Sequence, residues 1–154
     1  MRFVPGFFIL VAPYFDEVAV VTCLAEVRRA GFTAVLVGTT SNALNGRCGI
    51  RFHPDKSLTE ISEQPPEAKQ VVMIAGGAES AAVVLADPRV HQLMQQVLHH
   101  EGYVVGLQGT QQLLIESGLL LFEDSCHWLQ QEEEEETAVF AQQLIRLFYK
   151  TQGV

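Results

Sequence analysis

Short runs of apolar residues recur along the chain and predict the strands of a buried sheet. The first covers residues 7–12 (FFILVA), and the next two cover residues 32–38 (FTAVLVG) and 71–75 (VVMIA). Runs of this length that are apolar at consecutive positions and rich in β-branched residues are typical of strands buried on both faces. Residues 103–106 and 119–122 predict two further short strands.

Between these runs, apolar residues recur with the period of an α-helix. One such stripe covers residues 17–30 after a candidate N-cap, Asp16, and another runs from Asp87-Pro88 to Gly102. An aspartate N-cap and a proline in the first turn both mark the start of a helix. Two more helices and a small hairpin are predicted over residues 111–117, 133–150 and 48–53, respectively.

Strands that alternate with helices in this order predict a parallel sheet covered by helices on both faces. Because the carboxyl ends of parallel strands share one edge, we expect Ala12, Ala75 and Gly106 to lie close together there. Ligands of open α/β sheets bind beyond that edge. No linker or internal repeat interrupts the pattern, so residues 1–154 are predicted to form a single domain.

Composition and charge exclude several classes of protein. The 154 residues are 48% hydrophobic, which suffices for a sizeable core. Ten Lys+Arg against 18 Asp+Glu give a formal net charge of −8, which disfavours nucleic acid as a partner. No apolar run approaches the roughly 20 residues of a membrane-spanning helix, and the N-terminus lacks the cleavage site of a secretory signal. We therefore expect a cytoplasmic protein that binds neither nucleic acid nor membranes.

The cysteines and histidines do not form a metal-binding pattern. The three cysteines are widely spaced and odd in number, which fits a reducing compartment. There is no C-x-x-C pair, and the histidines lack the spacing of zinc ligands. We expect neither a metal nor a cofactor. The acidic run at residues 132–136 is interpreted as the solvated first turn of the last helix.

Several short motifs resemble the DJ-1/ThiJ/PfpI family, in matching order and spacing, over residues 7 to about 120. They are V-A-P-x-F-D-E (11–17), R-R-A-G-F (28–32), V-G-T (37–39), P-D-K-S-L (54–58), G-G-A-E (76–79), A-D-P-R-V (86–90) and G-L-Q-G followed by L-L-I-E-S-G-L-L (106–120). The resemblance implies a flavodoxin-like three-layer sandwich with a mostly parallel sheet, related to class I glutamine amidotransferases. It also implies a reactive cysteine on a strained strand-to-helix turn and a buried glutamate in the first helix that hydrogen-bonds the thiolate. Relatives of this fold commonly form dimers.

Three features implied by the resemblance are missing from this chain. The turn that normally reads I-C-x-G here reads Gly106-Leu107-Gln108-Gly109, so Leu107, which has no nucleophilic atom, stands at the position of the cysteine. Ala19 stands at the position of the glutamate, and Glu17, two residues earlier, is interpreted as a partner of the helix dipole. The C-terminal part, which in the family brings a histidine near the cysteine, is expected to be shortened. No catalytic residue is therefore assigned.

Two features remain that could bind or react. Gly76-Gly77 can present consecutive N–H groups to an anion, or can simply let the chain turn. Together with Ala19, Leu107 and Gln108, these glycines form the predicted pocket for a small anionic ligand. Cys126, beside His127 in a loop that the resemblance places near the pocket rim, is the candidate reactive thiol, and an ordinary loop thiol is the alternative.

The sequence favours a catalytically inactive DJ-1/PfpI-like domain that acts by binding, as a regulatory or assembly partner or as a small-ligand sensor. The alternative is a hydrolase, deglycase or glyoxalase of the family's kind that uses a non-standard site such as Cys126. A third hypothesis is a subunit whose site is completed by a partner chain. We expect a homodimer or a complex with another protein through an apolar surface. The last helix would cover that surface if Phe140, Leu144 and Phe148 turned inward.

Overall fold

A computed structural model describes residues 6–64, 69–118 and 127–151 and shows where the strands lie. In chain order they are β1 (Gly6–Val11), β2 (Thr33–Gly38), β3 (Leu44–Asn45), β4 (Arg51–Phe52), β5 (Lys56–Ser57), β6 (Val71–Ile74), β7 (Tyr103–Gly106) and β8 (Trp128–Gln130). Six of them form one parallel sheet in the order β5-β2-β1-β6-β7-β8. The other two, β3 and β4, form a separate antiparallel hairpin.

The helices connect the strands, and the two helices with a predicted aspartate N-cap begin where that residue predicts. They are α1 (Glu17–Arg29), α2 (Leu58–Ser62), α3 (Ala78–Ala86), α4 (Pro88–His99), α5 (Gln111–Ser117) and α6 (Thr137–Thr151). Both expected N-caps are confirmed, because Asp16 accepts a hydrogen bond from the Ala19 N–H at 3.2 Å and Asp87 accepts one from the Arg89 N–H at 2.9 Å. Within the described residues, none of these helices combines the length and the apolar character needed to cross a membrane.

The sheet separates two hydrophobic cores. Alternate residues of β1 point to opposite faces, so that Phe7 and Ile9 join one core and Phe8 and Leu10 join the other. Helices α1 and α6 pack together over the first core, and α2, α3, α4 and α5 cover the second. This arrangement confirms the predicted α/β, flavodoxin-like, three-layer fold.

The carboxyl ends of β1, β6 and β7 meet at one edge of the sheet. Leu10, Ile74 and Gly106 lie side by side in the register of the three strands. The residues that end these runs therefore share that edge, as the alternation of strands and helices predicts. The turns that follow the three strands form the region in which the functional site is expected.

Some boundaries differ from those predicted. α6 begins at Thr137 instead of residue 133, because residues 132–135 form a turn in which the Glu135 N–H donates to the Glu132 carbonyl at 3.1 Å. The hairpin spans residues 44–52 instead of 48–53. Helix α3 was not predicted because residues 81–86 are apolar at consecutive positions, which hides the period of a helix, and strand β8 is also additional. The strand predicted over residues 119–122 lies outside the described residues.

Glu17 holds the β3–β4 hairpin to the first turn of α1. Its carboxylate is fully buried and accepts hydrogen bonds from the Cys48 N–H at 2.9 and 3.0 Å and from the Ile50 N–H at 3.2 Å. Burial by itself raises the pKa of Glu17, but the backbone N–H groups of Cys48, Glu17 and Ile50 outweigh it and lower the pKa below its ordinary value. The interpretation of Glu17 as a partner of the helix dipole was therefore incomplete, because its main contacts are with the loop of the hairpin.

Phe148 on α6 is predicted to be essential for stability. It is 1% exposed, and its ring packs edge-on against Phe7 and Tyr103 with centroid distances of 5.3 and 5.1 Å. Phe148→Ala should lower the free energy of unfolding by about 3–5 kcal/mol, because it leaves a cavity in the first core. Urea unfolding followed by circular dichroism measures the loss. Val139→Ala, at an exposed position of the same helix, is the control and should change stability by less than about 0.5 kcal/mol. Equal effects of the two changes would contradict the packing.

Glu17→Gln should destabilise the protein by about 2 kcal/mol at neutral pH, because an amide replaces a carboxylate that accepts three hydrogen bonds. The folded-state pKa of Glu17 is lowered, so its contribution is complete above the ordinary pKa and disappears as the pH falls through the lowered value. The difference between wild type and variant, measured by urea unfolding, should therefore shrink in acid. Glu79→Gln, in the first turn of α3, controls for the helix dipole. A pH-independent difference would refute the assignment.

Candidate functional site

The turn after β7, which we call the elbow (Gly106 to Gly109), places a leucine inside the protein. Leu107 is fully buried within the first core, and its N–H donates to the Ile74 carbonyl at 3.1 Å. The buried Thr110 hydroxyl donates to the Leu107 carbonyl at 2.6 Å. The residue at the nucleophile's position is thus fixed by packing and hydrogen bonds, and it presents no reactive atom to solvent.

The backbone of the elbow is not strained at Leu107. The positive φ angle of the turn, 87°, falls on Gly109, where glycine adopts it without steric cost. Gly106 is needed for a different reason, since a Cβ atom there would lie 2.6 Å from the Thr110 hydroxyl oxygen. The strained backbone that the family resemblance implies for its reactive residue is therefore not present at Leu107.

The backbone N–H group that follows Leu107 is hydrogen-bonded to a glutamine side chain. The Gln108 N–H donates to Oε1 of Gln131 at 2.9 Å, and Gln131 is only 2% exposed. The Gln131 Nε2 group in turn donates to the Glu135 carbonyl at 2.9 Å and to the Thr137 hydroxyl at 3.1 Å. In nucleophile elbows, the N–H after the nucleophile stabilises the developing oxyanion. Here that donor is already used within the protein.

The side chain of Gln108 is also engaged. Its Nε2 group donates to the carbonyl of Glu133, in the turn before α6. The neighbouring Gln130 donates to the carbonyls of Leu107 and Gln131 at 3.2 and 3.1 Å. The sequence analysis missed Gln130 and Gln131, although two consecutive amides between the apolar Trp128-Leu129 and the acidic run are the signal that could have revealed a polar network.

A groove of about 400 Å³ lies between the N-terminal turns of α1 and α6. Ala19 and Gln108 line it, so the structure brings together two of the five predicted pocket residues. Ala19 is 5% exposed, and its methyl group offers no acid at the position where the family resemblance implies a glutamate. The other lining residues come from α1, the hairpin loop and α6: Asp16, Val18, Thr22, Arg47, Cys48, Glu136, Thr137 and Ala138.

Gly76 and Gly77 do not line this groove, because they form backbone contacts at the sheet edge. The Gly76 carbonyl accepts a hydrogen bond from the Asp16 N–H at 2.9 Å. A Cβ atom at Gly76 would lie 2.6 Å from the Gln108 carbonyl oxygen, and one at Gly77, where φ is 96°, would lie 2.7 Å from the Tyr14 carbonyl oxygen. Both glycines thus allow a close approach of neighbouring turns, which supports the structural interpretation of this pair.

The charged lining of the groove consists of one guanidinium, Arg47, and two carboxylates, Asp16 and Glu136. Arg47 pairs with Asp16 at 3.1 Å, and the Cys48 thiol lies beside the Glu17 carboxylate, which raises the pKa of Cys48. Burial and the charge of Glu26 raise the pKa of Cys23 to about 12. Both described thiols are thus held in the protonated form at neutral pH, which is the weakly nucleophilic state.

Cys126 lies outside the described residues, but its neighbour His127 is described. The His127 ring nitrogen Nδ1 is 2.8 Å from the carbonyl of Gly102, and the ring stacks on Tyr103 at a centroid distance of 4.9 Å. Gly102 precedes β7, whereas the elbow follows it, so His127 lies at the opposite edge of the sheet, roughly 13 Å away along the strand. This position differs from the pocket rim at which we expected His127. Among the described residues, no cluster of three or more His, Cys, Asp or Glu side chains is arranged to hold a metal ion.

Comparisons with known proteins identify the family. A search of curated proteins gives no match. The fold is similar to that of Toxoplasma gondii DJ-1 in its oxidized form, with a TM-score of 0.81 and 16% identity over 97% of this chain and 94% of the other. It is also similar to Drosophila melanogaster DJ-1beta, with a TM-score of 0.76 and 14% identity over 95% and 91% of the two chains.

A third solved structure shows the same fold as part of a larger chain. A two-domain protein from Anabaena variabilis contains DJ-1/ThiJ/PfpI-like and ferritin-like domains, and 94% of the present chain matches 48% of it with a TM-score of 0.75 and 18% identity. At these identities the structural likeness shows the fold alone. The sequence model of the DJ-1/PfpI family matches residues 7–141, and the chain therefore belongs to the DJ-1/PfpI family.

Proposed function

We propose that this DJ-1/PfpI domain acts by binding and not by thiol catalysis, as a regulatory or assembly partner of another protein or as a small-ligand sensor. The observation that carries the proposal is the hydrogen bond from the Gln108 N–H to Gln131, directly after the fully buried Leu107. To free that N–H for a reacting oxygen, the buried Gln131 amide would have to leave three hydrogen-bond partners. Each broken bond of this kind costs about 1 kcal/mol or more when the groups stay buried.

The α1–α6 groove is the ligand site that supports the sensor form of this proposal. Its volume of about 400 Å³ lies within the range of small-molecule sites. An anion would have to displace Asp16 from Arg47, and Glu136 would repel it, so the groove suits a small anionic ligand less well than a neutral polar one. The proposal needs no metal or cofactor.

A protein partner is supported by exposed apolar side chains on α1 and the hairpin. Val18 and Val21 are 65% and 47% exposed, and Ile50 is 52% exposed. Val21 follows Glu17 by one helical turn, and the Ile50 N–H donates a hydrogen bond to the Glu17 carboxylate. Both apolar residues are therefore close to Glu17. We propose that a second copy of the chain covers them, in an interface of the ordinary size of about 800 Å² per subunit.

Two other properties stay predictions. The cytoplasm is the expected location, and the described cysteines, Cys23 and Cys48, are both free thiols, as a reducing compartment requires. The shortening of the C-terminal part is the second, and the coverage of 94% and 91% of the two DJ-1 chains speaks against it.

We expect no turnover in assays with methylglyoxal, with aminopeptidase substrates and with esterase substrates, because neither a nucleophile nor a free oxyanion donor stands at the elbow. A family member that retains its cysteine serves as the positive control. Cys126→Ser and Cys48→Ser are tested beside the wild type. Turnover that either substitution abolishes would contradict the proposal, because it would show that the thiol chemistry has moved to another residue.

Val21→Glu and Ile50→Glu should convert a dimer to a folded monomer, because each places a charge within the proposed apolar interface. Sedimentation velocity at micromolar concentration reports the mass, and circular dichroism reports the fold. Val83→Glu, at a 52% exposed position of α3, is the matched control and should leave the mass unchanged. A wild-type protein that sediments as a strict monomer would refute self-association.

A further inference from the structure

A second cavity lies beside the carboxyl end of β1 and shares no lining residue with the α1–α6 groove. It has a volume of about 340 Å³. The residues that line it come from the turn after β1 and from the hairpin: Pro13, Tyr14, Ala43, Leu44, Asn45 and Arg51. β1 lies between β2 and β6: the chain first adds β2 and β5 on one side of β1 and then crosses over to add β6 on the other side. In open α/β sheets, this reversal of strand order is where ligands bind.

Arg51 is a cation without a partner at this cavity. Among the described residues, no carboxylate forms an ion pair with Arg51, whereas four other arginines each pair with one: Arg28 with Asp55, Arg29 with Glu26, Arg47 with Asp16 and Arg89 with Asp87. The chain as a whole is acidic, with a formal net charge of −8. Arg51 is exposed to solvent and lines the cavity, so its guanidinium is available to an anion from outside.

Tyr14 is held in a backbone conformation that suits glycine better. Its φ angle is 71°, and its side chain is 56% exposed. The conformation is fixed by neighbours on both sides, because the Tyr14 N–H donates to the Asn45 carbonyl at 2.9 Å and the Tyr14 carbonyl faces Gly77. An exposed side chain on a residue held in a strained backbone conformation points to a role outside the fold, since such strain is concentrated at binding sites.

The hairpin aligns the polar groups of the cavity. Asn45 and Arg51 are directly paired across β3 and β4, so their side chains emerge on the same face. Their neighbour Phe52 points the other way and packs edge-on against the buried Phe15, with ring centroids 5.2 Å apart. The guanidinium, the amide and the Tyr14 ring are thus presented from one anchored surface.

We propose that this cavity binds a small aromatic carboxylate. The planar guanidinium of Arg51 matches a carboxylate with two parallel hydrogen bonds, and the Asn45 side-chain amide is a further donor. The ring of the ligand packs on Tyr14 and on Pro13, where an aromatic pair adds to the burial of apolar surface. A phosphate dianion fits less well, because Arg51 is the single cation that lines the cavity within the described part of the chain. Binding here does not depend on whether the domain is catalytic.

Benzoate is the probe, and its binding to the full chain is followed by NMR chemical-shift perturbation. For a ligand of this size, a Kd on the order of 1 mM is expected. Benzamide, which lacks the charge, and cyclohexanecarboxylate, which lacks the aromatic ring, should each bind more weakly. Arg51→Gln should weaken benzoate binding by about tenfold or more. Arg146→Gln, at an exposed arginine of α6, is the control and should leave it unchanged.

Tyr14→Gly separates binding from stability. It removes the ring and relieves the backbone conformation, so it should weaken benzoate binding severalfold while the melting temperature stays the same or rises. A lowered melting temperature with unchanged binding would show that Tyr14 serves the fold and would overturn the proposal. Absence of saturable binding up to about 20 mM benzoate, or equal affinities of Arg51→Gln and Arg146→Gln, would overturn it as well.

Discussion

The hydrogen bond from the Gln108 N–H to the Gln131 side chain joins the turn after β7 to the segment that leads into α6. Because Gln131 also reaches Glu135 and Thr137, one buried amide fixes where α6 begins and how it approaches α1. The position of α6 then places Phe140, Leu144 and Phe148 in the first core. The closed elbow, the groove beside it and the packing of the last helix all depend on this one side chain.

The elbow of this chain is built like part of the core. Leu107 contributes apolar burial where the family resemblance implies a strained, reactive residue, and the positive φ angle falls on Gly109. Reactive sites typically reduce stability, since they hold strained backbone, unpaired donors and polar groups in apolar surroundings. Here the N–H and carbonyl of Leu107 and the N–H of Gln108 are satisfied within the protein, whereas Oε1 of the neighbouring Gln130 is buried without a hydrogen-bond partner among the described residues.

Much of the fold could be predicted from the sequence, because the buried strands and the capped helices have strong local signals. Asp16 and Asp87 mark the starts of α1 and α4 through hydrogen bonds within three residues. The site was harder to predict, because its decisive contacts join residues far apart in the chain. Gln108 and Gln131 are separated by 23 positions and Glu17 and Cys48 by 31, and no periodicity reveals such pairs. The DJ-1/PfpI motifs identified the elbow and Ala19. They could not show that a glutamine side chain accepts the hydrogen bond of the N–H group at the position of an oxyanion donor.

The β3–β4 hairpin forms a wall of both cavities. Arg47 and Cys48 face the α1–α6 groove, while Asn45 and Arg51 face the cavity at Tyr14. A hairpin with two residues in each strand has almost no stability of its own, so its order is supplied from outside, chiefly by Glu17. The two cavities therefore share one wall whose position depends on contacts outside it, so a change that loosens the hairpin should alter both cavities together.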